Sequence, residues 1–167
     1  LGIPPIDVMS AMGSCNSLMW ALNYAWMSIL TGKYSNAICV GTEKLASWMT
    51  SKIFEEESKH FEAIGKNPFI AFEKEFLRWM LSDGAAAALI MDRPNSNQLS
   101  LRIDWIEIRS YANEVETCMF AGGGKDANGD IIPWRDYSGK EWGDETVFAL
   151  QQDSRLLEKN ITKFGMQ

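Results

Sequence analysis

Residues 16–32 read NSLMWALNYAWMSILTG, and this run limits the choice of folds more than any other stretch. At helical spacing Leu18, Met19, Leu22, Trp26, Ile29 and Leu30 fall on nearly every side. A helix that is apolar all round belongs in a protein interior. Gly32 stands where a left-handed C-terminal cap is expected. The following NAICVGTE, residues 36–43, reads as a buried strand of parallel-sheet character. IDVMSAM, residues 6–12, reads as a short buried strand ahead of the helix. Together these predict a βαβ unit with Cys15 at its first strand-to-helix junction.

A chain of 167 residues with 46% hydrophobic composition has enough apolar material for a sizeable core and for one domain, or one large piece of a domain. Its 16 basic and 22 acidic residues give a formal charge of −6. That balance removes the broad attraction on which nucleic-acid and anionic-membrane binders rely, so neither partner is expected. The apolar stretches are too short for membrane insertion and no secretory leader pattern opens the sequence, which reads as a cytoplasmic protein. Three cysteines, at 15, 39 and 118, suit reduced thiols better than a disulfide framework, and a single His leaves little for metal chemistry. No metal or cofactor is expected. The sequence starts LGIPPIDVMS and stops at NITKFGMQ within a helical pattern, which reads as a piece of a longer protein.

Along the rest of the chain, residues 44–76 form a charged, interrupted helical excursion of the kind that covers a site or packs on a partner subunit. SDG at 82–84 predicts a tight turn into a strand, AAAALIM, over 85–91. DRPNSN at 92–97 is the clearest linker. LSLRIDWIEI, residues 99–108, alternates on odd positions up to Trp105 and then on even ones, predicting a strand with a bulge near Trp105. Residues 110–143 read as a long loop rich in Gly, Asp and Trp. Over 145–164 Val147, Leu150, Leu157, Ile161 and Phe164 share one helical stripe. The division expected is 1–95 and 96–167.

At a helix start the backbone N–H groups left unpaired favour negative charge, including that of a thiolate, and can hold the oxyanion formed when sulfur attacks a carbonyl carbon. A cysteine in an apolar segment is also a common inert core residue. Position alone leaves both readings of Cys15 open.

The order GSCNSLMWALNYAWMSILTGKYSNAICVGTEKLAS followed by FLRWMLSDGAAAALI resembles the beta-ketoacyl-ACP synthase III family of the thiolase-like superfamily. The resemblance covers residues 7–91, and the stretch from Glu145 through Val147 and Phe148 is similar to the helix that opens the family's C-terminal half. It implies an α/β, thiolase-like fold, present in part, in which βαβ units surround a buried central helix carrying the nucleophile. Residues 1–95 would be the latter part of the N-terminal half and 96–167 the beginning of the C-terminal half.

The implied function is that of a 3-oxoacyl-ACP synthase in fatty-acid or polyketide-type lipid synthesis. Cys15 would be the catalytic acyl acceptor, with its own N–H in the oxyanion hole, and Asp83 with Gly84 would form a structural turn. An acyl group would pass from acyl-CoA or acyl carrier protein to Cys15. A carrier-bound malonyl unit would then lose carbon dioxide and attack the thioester. A homodimer is implied as well. GSC.SL.WALNYA with FLRWMLSDGA is closer to the branch that condenses two fatty chains toward dialkylresorcinols. The sequence departs from the family at Asn16, Ser17, Ser82 and Ala86, where Gly is usual or common, and across the long 44–76 region. The family's catalytic His and its Asn or second His have no counterpart here, so this chain alone is expected not to condense.

Two other classes compete. GSCNS, 13–17, half resembles the nucleophile elbow of a cysteine-dependent α/β-hydrolase, although Ser17 stands where the closing Gly belongs. A non-catalytic acyl-binding or scaffold partner of a ketosynthase would keep the fold, but such partners commonly lack the nucleophile. His60, in EEESKHFE, and Glu55 to Glu57 read as solvated surface, and Lys74 and Arg78 as carrier or CoA contacts. Trp20, Trp26, Trp79 and Trp105 read as core, Trp134 and Trp142 as channel lining, and Cys39 and Cys118 as structural. AGGGKDANGD, 121–130, lacks the P-loop ending and the EF-hand spacing and reads as a surface turn.

Overall fold

The computed structural model describes residues 5–47, 77, 79–144 and 147–166. The chain divides into two compact units, one of Leu1–Glu43 with Gly84–Arg109, the other of Lys44–Asp83 with Ser110–Gln167.

In the first unit a 3-10 turn, Ser14–Asn16, leads into helix α1, Ser17–Leu30. The helix closes with Thr31 N–H donating to Met27 O and Gly32 N–H to Ile29 O, both at 3.0 Å. Gly32 takes φ 72°, the left-handed conformation that costs glycine no steric penalty. Strand β1, Asn36–Glu43, and strand β2, Gly84–Met91, pair antiparallel from Asn36↔Met91 to Glu43↔Gly84. The parallel-sheet character expected for 36–43 is thereby corrected. A continuous apolar run reports burial on two faces, whereas strand direction is set by whichever backbone lies alongside.

One face of this pair supports α1. Cys39 is buried and its thiol lies 3.7 Å from Ala21 O. Leu18 sits over Gly41, where an added Cβ would come within 3.1 Å of Leu18 Cδ2. Ala25 and Ser28 continue the covered stripe of the helix. The opposite sheet face, with Ile38 directly across from Leu89 and Val40 across from Ala87, is exposed. Replacing Gly41 by Val is expected to push α1 off the sheet and to cost about 1–3 kcal/mol by overpacking. A urea titration followed by circular dichroism would measure the loss, and an unchanged midpoint would contradict the close approach.

Three expectations fail in this unit. Residues 6–12 form no strand, because no described backbone pairs with them in a ladder, and so the βαβ unit is not formed among the described residues. Residues 99–108 likewise form no strand. Finally, α1 is not enclosed: Met19, Trp20, Met27 and Leu30 are exposed, since a two-stranded sheet can cover only one side of a helix. Trp20 and Trp105, read as core, are exposed for the same want of a covering layer, and Trp79, in the second unit, is exposed as well. Trp26 is half-buried.

The second unit replaces the expected long loop over 110–143 with short antiparallel pairs. Strand β3, Met119–Phe120, pairs with β6, Gln151–Gln152, while β4, Gly123–Lys125, pairs with β5, Ile131–Pro133. The 121–130 stretch is a hairpin arm and its turn. Asp126 Oδ1 accepts from Asn128 N–H at 2.8 Å and Asp130 N–H at 3.0 Å, with Gly129 at φ 88°. A Cβ at Gly123 would lie 2.6 Å from Ile132 O, so glycine is what lets β4 and β5 meet.

After a 3-10 turn at Trp134–Asp136 and a short helix α2, Glu141–Asp144, the chain turns through Val147. Val147 is 0% exposed, and its carbonyl accepts from Gly122 N–H at 2.9 Å and Gly123 N–H at 3.1 Å. Helix α3 spans Ser154–Gly165, not 145–164. Asp153 sets its start by accepting from Leu156 N–H at 2.9 Å, and the turn at Val147 and Phe148 lies outside it. Tyr111 and Phe164 close the far end, ring centroids 4.2 Å apart. No helix among the described residues is long and apolar enough to cross a membrane.

Candidate active site around Cys15

Cys15 lies in the 3-10 turn that opens α1, with an exposed side chain. Two amides of the turn are already used. Asn16 N–H donates to Gly13 O at 3.0 Å, and Ser17 N–H donates to Ser14 O, which also accepts the Ser17 hydroxyl at 2.7 Å. The N–H of Cys15 itself has no acceptor among the described residues. Sulfur and a donor with no described acceptor therefore belong to the same residue. Among the described residues the expectation of several free amides is narrowed to those of Ser14 and Cys15, because the 3-10 turn ties up Asn16 and Ser17.

The residue before the cysteine is unusual. Ser14 has φ 50°, and it is the one non-glycine residue with positive φ among those described. Such a conformation costs on the order of 1–3 kcal/mol and is held in place only by its surroundings. Trp20 supplies part of that hold, since its ring packs against Gly13 so closely that a Cβ there would stand 3.0 Å from Cδ1.

Further back, Asp7 anchors the incoming segment. Its carboxylate accepts from the Tyr34 hydroxyl and pairs with Lys33 Nζ at 3.2 Å. Lys33 also bonds the Tyr24 hydroxyl at 3.3 Å and lies 4.8 Å from the Tyr34 ring centroid. The Tyr34 bond and the ammonium hold the Asp7 carboxyl below the usual carboxylate range, and Lys33 is held above the usual lysine range by Tyr34, Tyr24 and Asp7. Between these two anchors a cleft of about 280 Å³ opens, lined by Met9, Ala11, Met12, Trp20, Asn23, Tyr24 and Met27. Methionine and tryptophan walls suit a flexible apolar chain.

The other cysteines are placed differently. Cys39 faces α1 and burial pushes its thiol up. Cys118 is half-buried and lines an apolar cleft of about 240 Å³ with Tyr111, Val115, Leu157 and Phe164 in the second unit. Gln152 Nε2 lies 3.4 Å from Cys118 O and 3.8 Å from its sulfur, while Gln152 Oε1 is buried without a partner among the described residues.

Asp83 accepts from Ala46 N–H at 2.8 Å, directly before Gly84 opens β2. Trp134 and Trp142, expected as channel lining, pack on each other at 5.8 Å and on Phe148, with Trp142 Nε1 donating to Trp134 O at 2.9 Å. His60, Glu55 to Glu57, Lys74 and Arg78 lie outside the described residues, as does most of the 44–76 region. Among the described residues no group of His, Cys, Asp and Glu could hold a metal ion.

Sequence reasoning missed the Ser14 conformation, for which a non-glycine residue gives no signal, and the Asp7 anchor, whose partners lie 26 and 27 residues away. No family model matches the chain, and no curated protein matches it.

Proposed function

We propose that this chain carries the acyl-accepting half of a beta-ketoacyl-ACP synthase III-like condensing enzyme, with Cys15 as the nucleophile. The observation that carries the reading is the exposed Cys15 side chain on a residue whose own N–H has no acceptor among the described residues, directly after Ser14 in its left-handed conformation. The Met-lined cleft on the same segment and helix would receive the acyl chain. The thiolase-like fold that the resemblance implies, the carrier-protein partner and a cytoplasmic location belong to the same proposal.

In the transfer the Cys15 sulfur, as thiolate, attacks the carbonyl carbon of an acyl thioester. The carbonyl oxygen becomes an oxyanion within reach of the Cys15 N–H. Collapse breaks the bond to the leaving sulfur, which departs as the CoA or carrier thiolate and takes up a proton from solvent. The acyl group remains on Cys15 as a thioester, reactive enough for a carbanion and stable enough to wait.

Incubation with a medium-chain acyl-CoA is expected to add one acyl mass to the chain, mapped by peptide analysis to Cys15. With His60 the single imidazole in the sequence, addition of malonyl-carrier protein is expected to give no ketoacyl product. Acylation at Cys118 or Cys39 instead, or none at all, would refute the assignment of the nucleophile. A scaffold subunit would bind the acyl-CoA without covalent increment.

A further inference from the structure

The cleft of about 280 Å³ beside α1 is walled on both sides by thioethers. On the helix, Trp20, Asn23, Tyr24 and Met27 recur at three- and four-residue spacing and so share one side. Met9 and Met12 come from the incoming segment, which is tied at Asp7 and at Gly13. All three methionines are open to a small solute, Met9 being 39% exposed, Met27 48% and Met12 89%. Exposure alone does not single them out, since Met91 and Met166 are exposed too. The shared cleft does. Methionine is the apolar side chain that one added oxygen turns polar, so three in one apolar wall make its character depend on the oxidant around it.

We infer that Met9, Met12 and Met27 are a reversible oxidation site: hydrogen peroxide converts them to sulfoxides and so shuts apolar chains out of the cleft, until methionine sulfoxide reductases restore it. The inference rests on the acyl-chain reading of the cleft given above and adds its regulation. In each oxidation a sulfur lone pair attacks one peroxide oxygen, an S–O bond forms and the O–O bond breaks. The other oxygen leaves as hydroxide and takes the proton from the new S–OH group, giving water. Sulfur loses two electrons and peroxide gains them. The sulfoxide oxygen is a strong acceptor that keeps its water while the cleft is empty. An alkyl chain along the walls strips that water and returns no donor, a cost about equal to the gain from burying one to three methylenes. Three such oxygens cancel the attraction of a cleft this size for a chain.

The test uses the unmodified chain and dansylundecanoic acid, a fluorescent fatty acid that forms no bond to sulfur. Peroxide, followed by dithiothreitol to return the thiols, is expected to add one oxygen at each of Met9, Met12 and Met27 by peptide mass and to raise the Kd of the probe about tenfold or more. Methionine sulfoxide reductases of both epimer specificities should bring the Kd back. Met9→Leu, Met12→Leu and Met27→Leu combined, which keeps the volume, is expected to bind the probe as the parent does and to ignore peroxide. Met91→Leu with Met166→Leu should respond to peroxide as the parent does. The inference is overturned by an oxidised chain that binds as before, by reductases that restore nothing, by a triple variant that responds to peroxide, by a double variant that does not, or by an unoxidised chain that binds no probe. The oxidation and reductase arms need no substitution and so stand even where a variant unfolds. Failure of acyl-CoA to load Cys15 would strike the nucleophile and leave this readout standing.

Discussion

Cys15→Ser is expected to abolish acyl loading while leaving the far-ultraviolet circular dichroism of the chain unchanged. The side chain is exposed and makes no contact that holds α1, since the turn is closed by the backbone of Gly13, Ser14, Asn16 and Ser17. The fold has little to lose. The chemistry has everything to lose, because a hydroxyl without an adjacent base is a far weaker nucleophile than a thiolate toward a thioester, and a fall of at least about 10³-fold in loading rate follows. Loading is read by intact mass over time with an acyl-CoA. Retained loading in Cys15→Ser would move the nucleophile elsewhere in the chain, and lost circular dichroism would mean that the sulfur holds structure.

Val147→Asp is expected to unfold the second unit. Val147 is the one large side chain among the described residues that is fully buried, and the carbonyl of the same residue binds the amides of Gly122 and Gly123. A carboxylate placed there would lose its water without a partner, costing more than about 4 kcal/mol. That is comparable to the whole stability of a small unit. Val147→Ala, which only removes two methyl groups, should cost about 2 kcal/mol and keep the fold. Tryptophan fluorescence reports the difference, because Trp134 and Trp142 pack with Phe148 next in sequence. Equal urea midpoints for the two variants would show that Val147 is not the centre of this unit.

What could be read from the residues depended on whether the deciding information was local. Strand 36–43 and strand 84–91 are marked by Gly32 and by Ser82-Asp83-Gly84, whose backbone demands act within a few residues, and both fall where expected. Residues 6–12 and 99–108 have strand-like patterns too, but a ladder needs a neighbour and a pattern cannot supply one. The start of α3 was legible and overlooked: Asp153 ahead of Ser154 is an N-cap signal, and the stripe from Val147 masked it. The pairs β3–β6 and β4–β5, of two and three residues, are shorter than any period that could reveal them. At the candidate site the position of Cys15 before α1 was legible, whereas the geometry of Ser14 depends on Trp20 and on the anchor at Asp7.

That anchor ties the segment leading into Cys15 at both ends. Gly13 is held at Trp20 and Asp7 at Lys33, so six residue steps of chain run back past the helix and its cap. The helix accounts for the ten rises from Trp20 to Leu30, about 15 Å, while six fully extended steps would reach about 20 Å. The segment therefore has length to spare between its ties, and what they fix is the place of Gly13 and with it Ser14, the hinge from which the cysteine is presented.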